Sequence, residues 1–158
     1  MGNARITLRK LEFDEIVNRW DEFKTLSKNA LNDTRNLTQI GERYETTMAR
    51  FLLLCEQGVA QIWISSEGGN DRYLCLSFIG TSALSGQKNF TIYSIVSMTD
   101  TKRDLLNHWQ YSIGAMNDFA KRQGCEKVSM ETDLDYLVNT FKSVAPNGII
   151  RQSMQINL

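Results

Sequence analysis

The stretch MTDTKRDLLNHWQYSIGAMNDFAKRQG, residues 98–124, decides how this chain is read. It follows an apolar run, Phe90–Val96, with the β-branched and aromatic character of a strand. Its apolar residues Leu105, Leu106, Trp109, Ile113, Met116, Phe119 and Ala120 recur at helical spacing. They predict one long helix, Lys102–Gln123, closed by Gly124. A strand feeding a helix N-terminus is a ready anion site, because free backbone N–H groups and the helix dipole point at it. Such a site needs glycine where backbone must approach a phosphate closely. No glycine lies between Gly86 and Gly114. The turn offers Asp104, Leu105, Leu106, His108 and Trp109 instead. The frame suits a cofactor-binding fold, and its cradle is filled with side chains.

Working outward, Arg5–Leu11 alternates as a short strand. Asp14 precedes Ile16, Val17, Trp20, Phe23 and Leu26, which predict a helix Asp14–Ala30 with Asp14 near its cap. A second helix, Gln39–Glu56, carries Ile40, Tyr44, Met48, Phe51, Leu52 and Cys55 and stops at Gly58. Three strands follow: Val59–Ser65, Arg72–Ile79 and Phe90–Met98. The first two are joined by Glu67-Gly68-Gly69-Asn70-Asp71, a hairpin turn. After the long helix come a strand Cys125–Glu131, a helix Leu134–Val144 with Asp133 as its cap, and a last strand Ile149–Ile156. Hairpins at the centre force antiparallel pairing, and strands entered through helices pair in parallel. The expected fold is α/β, a central mixed sheet with helices on both faces, in a single domain over residues 1–158.

The bulk numbers fit that picture. The chain has 158 residues, enough for one real core. Its 18 basic and 18 acidic residues cancel, so no broad field draws it to nucleic acid or an anionic membrane. Cys55, Cys75 and Cys125 are odd in number and lack a CxxC pair, which reads as reduced thiols of a cytoplasmic protein. No segment approaches the roughly 20 apolar residues of a membrane helix. MGNARITLRK lacks the apolar region of a signal peptide. One histidine and scattered cysteines give no metal-ligand spacing.

Several stretches resemble one family. ITLRKLEFDEIVNRW is similar to the opening strand and first helix of the GNAT superfamily, the acetyl-CoA-dependent N-acetyltransferases. DFAKRQGCEKVSMETD resembles that family's passage from cofactor helix to fifth strand. LVNTFKSVAPNGI resembles the helix and turn that follow, and SMQINL a closing strand. The family's chemical motif is Arg or Gln, two residues, Gly, one residue, then Gly or Ala; its amides hold the cofactor pyrophosphate. Counting back from Gly124 without gaps places that motif at Asp104–Trp109. Asp104 takes the place of the basic residue, and Asn107 and Trp109 take the places of the glycines. A carboxylate there repels a phosphate by about 1–4 kcal/mol in a partly wet site, and an indole blocks it sterically. The family's tyrosine general acid is replaced by Phe141, while Tyr136, five residues earlier, points elsewhere on the helix. The family closes with two strands, whereas only Gly148–Leu158 follow Asn147. The resemblance implies a degenerate member, similar to short GNAT-like virion and accessory proteins of short-tailed bacteriophages.

Two functions follow from that resemblance. In the first, the domain has lost acyl transfer, takes no cofactor, and binds protein partners in a viral assembly, in the host cytoplasm or the virion. In the second, it is an active N-acetyltransferase using acetyl-CoA through an atypical loop. Met98, Thr99, Lys102, Arg103 and Asp104 then meet the cofactor and Glu131 serves as base. That reading needs an open wedge between the strand ending near Met98 and the strand starting near Lys127. For the first, Trp63 is the candidate interface anchor: with Ile62 and Ile64 facing the core it points outward, unless helices cover both faces of its strand. His108 falls one place off the apolar stripe and reads as a partly exposed helix-surface residue.

Overall fold

A computed structural model describes residues 4–32, 44–99, 105–130, 135–145 and 147–149. The chain runs β1 (Ile6–Lys10), α1 (Phe13–Asn18), α2 (Trp20–Asn32), α3 (Tyr44–Glu56), β2 (Ala60–Glu67), β3 (Asn70–Thr81), β4 (Lys88–Ser97), α4 (Leu105–Arg122), β5 (Lys127–Met130) and α5 (Asp135–Val144). The strands form one sheet in the order β1-β2-β3-β4-β5. The first four pair antiparallel, and β5 joins β4 in parallel. This is the mixed sheet that the sequence predicts. The predicted last strand lies outside the described residues, as do the starts expected for α3 and α4.

Helices cover both faces. On one side Ile16, Phe23 and Phe51 from α1, α2 and α3 meet Ile62, Ile64, Leu74, Leu76 and Val96. On the other, Trp109, Ile113 and Met116 of α4 meet Trp63, Cys75, Phe90 and Ile92, and Phe141 of α5 packs against the same cluster. Strand β2 is therefore buried along Ala60–Ser65 on both faces. That overturns the reading of Trp63 as an outward interface anchor. The residue is 5% exposed, and its ring meets Phe119 edge-on at 5.1 Å and donates its Nε1–H to Ser77 Oγ at 2.9 Å.

Local chemistry sets the turns. Gly68 and Gly69 both have positive φ, 58° and 83°, which a two-residue hairpin loop demands. At the end of α4, Gly124 sits at φ 79°. Its N–H returns to the Lys121 carbonyl and that of Cys125 to Ala120, closing the helix as expected. The predicted helix Asp14–Ala30 is instead two, broken at Arg19, and the cap position is Glu12 rather than Asp14. Arg9 of β1 grips Glu15 bidentately, and Arg19 at the break binds Glu22 and Asp71. These anchors fix the two short helices to the sheet separately. The Arg9 guanidinium also holds the Glu15 carboxyl below its ordinary range.

Burial decides thiol chemistry. It pushes the Cys55 thiol up to about 12 and raises Cys75 as well, whereas Cys125 is partly exposed. A chromophoric disulfide reagent at pH 8 is expected to label Cys125 alone in the folded chain and all three cysteines in urea. Fast labelling of Cys75 in the folded chain would show that the sheet is not sealed as described.

Candidate functional site

Strand β4 changes character at Tyr93. Its register with β3 steps from Leu76↔Ser94 to Ser77↔Ile92, which leaves Tyr93 as the extra residue of a β-bulge. Pairing with β5 is described as far as Ile92↔Met130, next to that bulge. Among the described residues, no strand pairs with the outer side of Tyr93–Ser97. A bulge sharpens local twist and bends the strand. Tyr93 itself stacks on Phe51 at 6.4 Å, and burial raises its hydroxyl pKa.

Beyond β4, the Met98 N–H is bound to the Arg72 carbonyl, and Ser97 Oγ donates to the Thr99 carbonyl at 2.5 Å. Met98 packs on the core beneath α1–α3. Thus Met98 and Thr99 finish the strand. Lys102, Arg103, Asp104 and Glu131, the other candidate cofactor and base residues, lie outside the described residues.

The first turn of α4 holds the positions where the family motif would put glycines. Asn107 and Trp109 are helical here. Trp109 falls in line with Leu105, Ile113 and Met116, so its indole turns inward, in a residue 4% exposed. The ring meets Phe141 of α5 at 6.2 Å. Together the two aromatics fill the seam between α4 and α5.

His108 is the site residue that sequence reading missed. It is 2% exposed, while Leu106, assigned to the buried stripe, is 39% exposed. The buried line of α4 is thus Leu105, His108, Trp109, Ser112, Ile113, Met116 and Ala120. His108 Nδ1 lies 2.5 Å from Ser65 Oγ on β2, and its Nε2 lies 3.5 Å from a Glu67 carboxylate oxygen. Tyr73 of β3 meets the imidazole edge-on at 5.1 Å. Ser65 Oγ and His108 Nδ1 share one hydrogen bond, with the tautomer deciding which of them donates. At 3.5 Å the contact with Glu67 is electrostatic more than a strong hydrogen bond. A signal was present in the sequence. Gln61, Trp63, Ser65 and Glu67 alternate along β2, so its inner face carries polar groups that the covering helix must satisfy.

A cavity of ≈ 20 Å³ lies beneath α4, bounded by Ser65, Tyr73, Cys75, His108, Trp109 and Ser112. Among the described residues, no group of three His, Cys, Asp or Glu side chains could hold a metal ion. No helix there is long and apolar enough to cross a membrane.

No family model and no curated protein matches this chain in sequence. Its shape is similar to solved acetyltransferases. An aminoglycoside acetyltransferase from an uncultured soil metagenomic sample, solved with sisomicin, superposes at a TM-score of 0.70 and 14% identity, covering 97% of this chain and 95% of that one. Glucosamine-6-phosphate N-acetyltransferase from Arabidopsis thaliana gives 0.61 and 20%, covering 98% and 97%. A predicted acetyltransferase from Clostridium acetobutylicum, solved with acetyl-CoA, gives 0.65 and 10%, covering 98% and 96%. The chain has the GNAT acetyltransferase fold.

Replacing His108 tests the Ser65–His108–Glu67 line. His108→Phe keeps ring volume but strands the Ser65 hydroxyl, and is expected to cost about 1–3 kcal/mol in urea unfolding. His108→Gln, which can still accept and donate, is expected to recover part of that. Equal stability of the Phe variant and the unaltered chain would show that these contacts contribute nothing.

Proposed function

We propose that this domain has set acyl transfer aside and works by binding protein. The contact between Trp109 and Phe141 carries the reading, because it fills the seam between α4 and α5 with two rings. Two facts support it. The chain has no glycine between Gly86 and Gly114 for backbone to approach a pyrophosphate. Phe141 stands where the resembling family has a tyrosine acid, and it has no proton to give a leaving thiolate. The resemblance to phage accessory proteins suggests a viral assembly as the setting, with the partner a protein of that particle.

A second reading has its own observation. Strand β4 is bulged at Tyr93, next to its last described pair with β5, and a bulge bends the strand in the way a cleft between the two would need. An N-acetyltransferase would use that cleft for acetyl-CoA, with Met98 and Thr99 at its inner end, Lys102, Arg103 and Asp104 toward the phosphates, and Glu131 as base.

Thermal unfolding with acetyl-CoA separates the two. A ligand about a hundredfold above its Kd stabilises a binder by about 2.7 kcal/mol, roughly 5–10 °C for a chain of this size. No shift is expected at millimolar acetyl-CoA. A clear shift, or acetyl-CoA turnover by the isolated chain, would overturn the binding reading. Native mass spectrometry of the chain recovered from its source is expected to find it in a defined hetero-complex.

A further inference from the structure

Residues Leu105–Asn117 of α4 contain no Asp, Glu, Lys or Arg, in a chain that is 23% charged. The part of that run turned to the sheet has reason to be neutral. The outward part does not: Leu106, Asn107, Gln110, Tyr111 and Gly114 are exposed. The other helices show what an exposed face of this protein carries: Asp14 on α1, Asp21 and Lys28 on α2, Glu45 and Arg50 on α3. On α4, Leu106 and Tyr111 are instead 39% and 48% exposed. Charge depletion beside an exposed tyrosine is the composition of an interface core.

Gly114 sits in the middle of this face, between Gln110 and Tyr111 around the helix axis. Glycine inside a helix lowers its stability relative to alanine. Nothing within the chain calls for it, since a Cβ there would meet no neighbouring atom within 4 Å. Its backbone is bare on the outward side, which suits close approach by another molecule.

We infer that α4 of a second copy of this chain packs here, antiparallel across a two-fold axis. A face that meets itself must not bring like charges together, and this one has none to bring. An axis at Gln110 sets Leu106 of each copy over Gly114 of the other, a side chain into a hollow. Residues 106, 110 and 114 form an i, i+4 ridge, the kind that interdigitates between crossing helices. The antiparallel arrangement also sets the two helix dipoles head to tail. Each Asp118, the first charged residue after the neutral run, falls toward the positive N-terminal end of the other α4, whose first turn has no acidic residue. The pairing goes beyond the choice between partner binding and acyl transfer and holds under either.

Sedimentation of the unaltered chain tests this. One helix per copy is a small contact, so the mass is expected to rise from that of one chain toward that of two over about 10–500 μM. Gly114→Leu fills the hollow with a better helix former. It is expected to keep the circular dichroism and unfolding midpoint while weakening self-association about tenfold or more. Tyr111→Lys sets two like charges near the axis and is expected to do the same. A chain that stays monomeric over that range, or a dimer that either variant leaves intact, would overturn the inference.

Discussion

Everything in this fold depends on β2 being sealed on both faces. Its residues Ala60–Ser65 are buried between α1–α3 and α4. A strand in that position has no water to satisfy its polar side chains, and each one left unpaired costs about 1–3 kcal/mol. Gln61 and Ser65 must therefore find partners within the protein. Ser77 Oγ donates to Gln61 Oε1 at 2.8 Å and accepts from Trp63, and Gln61 reaches the Val59 carbonyl at 3.1 Å. Ser65 and Glu67 turn to the one histidine. Strand β2 thus calls for a polar residue at position 108 of the helix above it.

That requirement sets the rotation of α4. With His108 fixed over Ser65, the helix has to direct Leu105, Trp109, Ile113 and Met116 downward as well. Trp109 then reaches Phe141, which positions α5. The residues that lock the helix to the sheet are the same ones that occupy the seam between the two helices.

Much of the architecture was legible because strands and hairpins announce themselves. The Gly68-Gly69 turn and the alternations on either side of it fix the central antiparallel pairs, and the helix between β4 and β5 forces the parallel one. The misreadings share one cause. Counting apolar residues gave Leu106 to the core and His108 to solvent, because a stripe drawn on hydrophobicity alone cannot see a buried polar partner. Trp63 was read outward for the converse reason: alternation distinguishes two faces but does not say whether both are covered. The break at Arg19 rests on ion pairs to Glu22 and to Asp71, a residue far along the chain, and no local window contains the second of these. The bulge at Tyr93 is equally silent in sequence, since it is a mismatch in length between two strands.

The fold alone does not fix the chemistry. A mixed sheet with helices on both faces is a frame, and a frame is compatible with catalysis or with plain binding. What decides between them is the lining. An acyl-CoA site needs bare backbone at the helix start and a proton donor near the leaving thiolate. In this chain Asn107 and Trp109 are helical, and the ring of Trp109 meets that of Phe141 at 6.2 Å. Those two rings serve the packing of α5 on α4, so a change at either one is felt first as a change in how the two helices meet.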